Sequence, residues 1–179
     1  MHVLHRVLVY RENLNEMSDE DIKWEAESDT DEFFGRVFDY RSFVDDDEDW
    51  TEYPKSVIRG KEPIIEHLKL AEESQKEYLK ETLGCLANLL GEDNSIMNMT
   101  VRDLLCTDCF CKAKDSKDEK LRFAFIELDI LADVLLGHYT FEQGFYDSER
   151  FTSKITEETY NAVEADPDNF AIVLFDYHN

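Results

Sequence analysis

The residues best able to do chemistry crowd into one short stretch. Cys106, Cys109 and Cys111 lie within six residues, as a C-x-x-C followed by a third thiol. Structural zinc takes four soft or imidazole ligands in a tetrahedron. Three thiolates here need one further ligand, for which His67, His138 and His178 are the candidates. A second pair at the usual spacing is missing, so a short turn with buried or half-buried thiols that behave as small hydrophobes is the favoured reading. A redox role is disfavoured, because the motif follows an expected helix instead of opening one.

The second cluster is Asp45, Asp46, Asp47, Glu48 and Asp49, followed by Trp50, Glu52 and Tyr53. Asp45, Asp47 and Asp49 have the spacing of the first calcium-loop ligands, but Trp50 stands where that loop needs glycine and Ser56 where it needs glutamate. A like-charge block of this kind is solvated, which leaves it free to meet a partner. Among the five histidines, His5 and His178 fall in the first and last apolar segments. If these pair as strands, the two rings and Asp176 make a catalytic or metal constellation. Familiar enzyme signatures are missing: no H-E-x-x-H, no G-x-S-x-G and no glycine-rich phosphate loop, the last hard to build from 6 glycines. No catalytic residue is assigned.

Charge sets the classes of partner. The 179 residues carry 42 acids and 19 Lys plus Arg, a net charge of −23. Residues 12–52 hold 17 acids against 3 bases, and residues 140–179 hold 9 against 2. Binding nucleic acid requires cations to neutralise phosphate, and anionic membrane surfaces attract basic segments. Neither is expected here. The complementary partner is a basic protein, and the basic surfaces of a cell are largely those that hold nucleic acid, nucleases included. In size and charge the chain resembles the acidic inhibitors of restriction and CRISPR nucleases carried by phages and plasmids. That resemblance implies an anti-defence protein that acts by mimicking nucleic-acid charge. Asp45 to Asp49, Trp50, Glu52 and Tyr53 are the expected contacts, the acids facing Lys and Arg and the aromatics anchoring. The alternative is a regulatory protein stabilised by zinc on Cys106, Cys109 and Cys111. A third is an enzyme with an unrecognised site.

The elements that must position these residues follow from periodicity. Val3–Tyr10 and Phe170–Tyr177 are continuous apolar runs, as strands covered on both faces would be. Ser18 with Asp21 opens a helix over Asp19–Ser28 that turns Ile22 and Ala26 inward. Phe33–Phe43 is aromatic and reads as a strand, and Ser56–Arg59 as a short one. Glu62–Leu90 repeats its apolar residues at helical spacing, with Pro63 in the first turn and Gly91 as its stop. A lapse in the stripe at Glu72–Lys76 marks a possible break, and a second stripe through Leu70, Ala87 and Leu89 offers a homodimer face. His67, beside Glu66, reads as a surface residue. Thr100 caps a short helix over Val101–Leu105, residues 113–120 form a charged loop, and Leu121–Leu136 reads as a helix stopped by Gly137. Residues 139–151 form a strand or hairpin, and Thr156 opens a last short helix.

The sum is one α+β domain over residues 1–179, with the terminal strands at the centre of a small mixed sheet, one long helix and several short ones. Twelve Phe, 8 Tyr and 2 Trp supply its core. Met1–Tyr10 lacks the basic flank and cleavage site of a signal peptide, no run reaches the length of a membrane span, and clustered thiols do not suit a secreted disulfide framework. The expected compartment is the cytoplasm, with no cofactor other than the zinc of the alternative reading.

Overall fold

The computed structural model describes residues 2–46, 50–92, 126, 130–134, 136–140 and 144–178. It is an α+β fold built on a mixed sheet of five strands, as the pattern of terminal strands and intervening helices requires. The strands are β1 (His2–Tyr10), β2 (Tyr40–Phe43), β3 (Val57–Arg59), β4 (Phe145–Asp147) and β5 (Phe170–His178). The two long terminal strands pair antiparallel along their whole length at the centre, from His2 opposite His178 to Tyr10 opposite Phe170. β4 runs parallel to β1 on one side. On the other side of β5, β2 pairs with residues 175–178 and β3 with residues 171–173.

Continuous apolar runs make sense once the covering layers are seen. One face of the sheet shows Val7, Val9, Val173 and Phe175 to helix α1 (Asp19–Thr30), which contributes Ile22 and Ala26. The other shows Leu8, Ile172 and Leu174 to helix α2 (Lys61–Glu92), through Ile64, Leu68 and Ala71, and to helix α3 (Glu157–Ala165), through Val163. A strand covered on both sides cannot alternate polar with apolar.

Local chemistry starts the helices where expected. Ser18 accepts from the Asp21 backbone N–H, and the Asp21 carboxylate accepts from the Ser18 N–H in return, a closed capping box. Asp19, Glu20 and Asp21 then place negative charge on the helix N-terminus. At the start of α3 the Thr156 N–H donates to the Thr159 hydroxyl at 3.3 Å.

Three expectations need correction. Residues 33–43 are not one strand: a 3-10 turn over Asp31–Phe33 and a loop come first, and only Tyr40–Phe43 extend. Gly35 takes φ +73°, a conformation open to glycine, and turns the chain there. The long helix neither breaks at Glu72–Lys76 nor stops at Gly91, but continues through Glu92.

The chain divides into two compact units, residues 1–75 with 137–179, and residues 76–136. The first holds the sheet and both core layers. The second holds the distal part of α2 and helical residues at 130–134, the latter within the helix expected over Leu121–Leu136. Gly137 follows with φ +79°, suited to a helix stop. The helix expected over Val101–Leu105, the loop at 113–120 and Cys106, Cys109 and Cys111 lie outside the described residues, as do Asp47, Glu48 and Asp49. No helix among the described residues is long and apolar enough to cross a membrane.

Candidate functional site

The acidic segment is partly neutralised from within. Arg11 pairs with Glu25 and Asp29 at 2.7 and 2.8 Å. Arg41 reaches Asp31 at 2.6 Å and Glu27 at 3.6 Å, and it also donates to the Glu27 carbonyl in the last turn of α1, where a cation suits the helix dipole. Arg59 binds Asp19 at 2.7 Å. Asp45, the first of the expected contacts, is engaged inward. Its carboxylate accepts from Lys23 Nζ at 3.0 Å and from the Ser56 hydroxyl, and its own N–H donates to Ser56 Oγ at 3.1 Å. Burial opposes its ionisation, but these donors outweigh burial and hold its carboxyl below the usual carboxylate range. Asp46 and Glu52 are exposed. Trp50 and Tyr53 are half-buried and pack on the core beneath α2.

Other aromatics of the same segment face solvent. Trp24 is 63% exposed, Phe34 57% and Tyr40 54%. Trp24 stands on α1 one turn from Glu20 and from Glu27, and Tyr40 on the outer strand β2. Helical spacing already set Trp24 near the edge of the inward face, whereas nothing in the sequence pattern separated Phe34 and Tyr40 from the core aromatics of their run.

A second arrangement lies at one end of the central strands. In an antiparallel pair, directly opposed residues share a face. His2 faces His178 across β1 and β5, and Asp176 stands one step along the same face. His2 Nδ1 lies 2.8 Å and His178 Nε2 2.6 Å from the same oxygen of Asp176, Oδ2. The two rings meet edge to face, 3.8 Å between centroids. Asp176 is fully buried, while the His2 and His178 side chains are 46% and 27% exposed. Burial disfavours the Asp176 charge, but hydrogen bonds to both imidazoles prevail and lower its pKa. Its other oxygen, Oδ1, is buried without a hydrogen-bond partner, and so is the hydroxyl of Ser42, its register partner on β2.

His5 is the correction here. It lies opposite Phe175, on the other face of the sheet. There it is buried, bonded to the Tyr139 hydroxyl at 2.8 Å and stacked on Tyr177. The partner of His178 and Asp176 is His2, which sequence reasoning passed over.

His67 is not a surface residue either. It is half-buried on α2, accepts a 3.4 Å hydrogen bond from Arg6 Nε, and lines a cleft of about 330 Å³ with Glu52, Tyr53, Lys55 and Glu66. Desolvation and the neighbouring Arg6 charge depress its pKa to about 4. Arg6, itself buried, makes no ion pair among the described residues.

No protein-family model, curated protein or solved structure matches the chain.

Proposed function

We propose that this protein is a non-enzymatic regulator that binds a basic, nucleic-acid-binding protein, such as a nuclease, and blocks it by presenting nucleic-acid-like charge. The observation that carries the reading is the exposure of Trp24, Phe34 and Tyr40 inside the most acidic segment of the chain. Large aromatics held in water have an apolar cost that a partner relieves, and tryptophan, tyrosine and arginine dominate the energetics of protein interfaces. Carboxylates around them select basic partners and speed the encounter. Of the expected contacts, Asp46 and Glu52 suit this role by their exposure, with Trp24 and Tyr40 as anchors. Asp45, exposed like Asp46, commits its carboxylate to Lys23 and Ser56.

The test is capture from lysate on the purified chain, followed by elution with salt and, separately, with duplex DNA. The expected result is retention of basic nucleic-acid-binding proteins that salt and DNA both release and that Trp24→Ala with Tyr40→Ala weakens at least tenfold. Retention of nothing basic, or binding indifferent to both eluents, refutes the proposal.

A further inference from the structure

We propose that His2, Asp176 and His178 form a binding site for one borderline divalent transition-metal ion of the zinc class. The donor set is two imidazoles and one carboxylate, all with ligand atoms within 4.8 Å of one another. Such a set suits zinc, with bonds of about 2.0–2.2 Å. Tetrahedral bonds of that length separate ligand atoms by about 3.3 Å. The histidine nitrogens now stand 2.8 and 2.6 Å from Asp176 Oδ2. A modest outward turn of two rings, both partly exposed, therefore opens the space an ion fills.

Two observations beyond the cluster itself favour a cation. The carboxylate is fully buried yet uses one oxygen for both histidines, leaving Oδ1 buried without a hydrogen-bond partner. The Ser42 hydroxyl, directly across the strand pair, is likewise buried and unpartnered. Unsatisfied buried oxygens are uncommon in folded proteins, and a bound ion or ordered water is what ordinarily satisfies such groups. The backbone also holds the ligands in place. Asp176 and His178 are alternate residues of one strand, His2 is fixed by the register of its neighbour, and the Asp39 N–H donates to the His178 carbonyl at 3.0 Å. The Tyr40 ring packs edge-on to His178, 4.9 Å between centroids.

The proton count is simple. Each imidazole now offers an N–H to Asp176. A metal takes that nitrogen's lone pair, so the proton moves through solvent to the other ring nitrogen, and neutral rings release none. Three protein ligands leave a fourth position open, as in zinc sites that hold water or a small anion. None of its three ligands is a cysteine.

The experiment is a Zn²⁺ titration of the full chain, followed by the ring resonances of its five histidines and by calorimetry. The His2 and His178 signals are expected to shift together and saturate. In calorimetry His2→Ala, an exposed change at a strand end, and His178→Ala should each weaken one binding event at least tenfold. Cys106→Ser/Cys109→Ser/Cys111→Ser should leave that event within threefold. Unmoved His2 and His178 signals overturn the site. So does zinc affinity that survives His2→Ala, or that disappears only in the cysteine variant.

Discussion

Asp45 is the obvious residue to mutate in testing the acidic surface, and the structure says that its loss acts first on the fold. Lys23 is 9% exposed, and its ammonium lies 3.0 Å from Asp45, with Glu20 a distant second partner at 3.9 Å. Asp45→Ala leaves that cation nearly buried beside the Phe43 ring, 4.7 Å away, and removes the carboxylate that ties Ser56, at the edge of β3, to the loop after β2. Breaking a fully buried pair costs about 3–5 kcal/mol. The Asp45 side chain is 26% exposed and Glu20 remains nearby, so solvent and rearrangement reduce this to about 2 kcal/mol. For a chain of this length that lowers Tm by about 6 °C. Urea unfolding of wild type, Asp45→Ala, Lys23→Met and the double variant measures it. The double variant should recover most of the loss, with a coupling of about 1 kcal/mol or more. The same link has a pH signature. The folded carboxyl has a depressed pKa, so its contribution is complete above the unfolded value and disappears as pH falls through the folded one. Asp45→Ala should therefore be least costly in strong acid. If Asp45→Ala unfolds like wild type at pH 7, the inward engagement of Asp45 is wrong, and the residue returns to the partner surface.

Two further outcomes follow from buried geometry. His67 has a folded pKa of about 4, below its unfolded value. The unfolded chain therefore takes up a proton first as pH falls, and stability declines between about pH 6.5 and 4. After allowance for partial exposure this is about 2 kcal/mol; Glu52 and Glu66 in the same cleft act against it. His67→Gln should flatten that limb of an unfolding-versus-pH curve, and an unchanged slope would discount the burial. Gly144 sits at φ +60° with space for a Cβ only 2.9 Å from the Leu4 carbonyl oxygen. Gly144→Ala should cost about 2 kcal/mol in a denaturant midpoint, from left-handed strain and a backbone clash, and a neutral substitution would contradict that close approach.

Much of the fold was legible because burial and capping write themselves into short stretches. Apolar runs at both ends gave β1 and β5 and their central place, and Ser18 with Asp21 gave the start of α1. The aromatic stretch at 33–43 misled because Phe33, Val37 and Phe38 are buried from a loop, where packing beneath α1 outweighs strand propensity. The His2–Asp176–His178 cluster was half visible. Pairing of the terminal strands was foreseen, but the register was not. Opposed residues of β1 and β5 always add to an even number, so odd-numbered His5 cannot share a face with His178. One parity decides which histidine joins Asp176, and only three-dimensional pairing supplies it. The exposure of Trp24 and the burial of His67 likewise depend on which helix faces reach the sheet.

The place of β5 also bears on how the chain acquires its structure. It is bonded to β1, β2 and β3 at once, and its main partner lies at the opposite end of the sequence. Contacts this distant cost loop-closure entropy before they return any stability, which slows folding. Until β5 docks, β1 presents an apolar strand with an open edge, the form most prone to pair with another molecule. During synthesis that edge stays open until Phe170–His178 has been made. The strong negative charge already present on residues 12–52 would then keep nascent copies apart, a role that needs no partner at all.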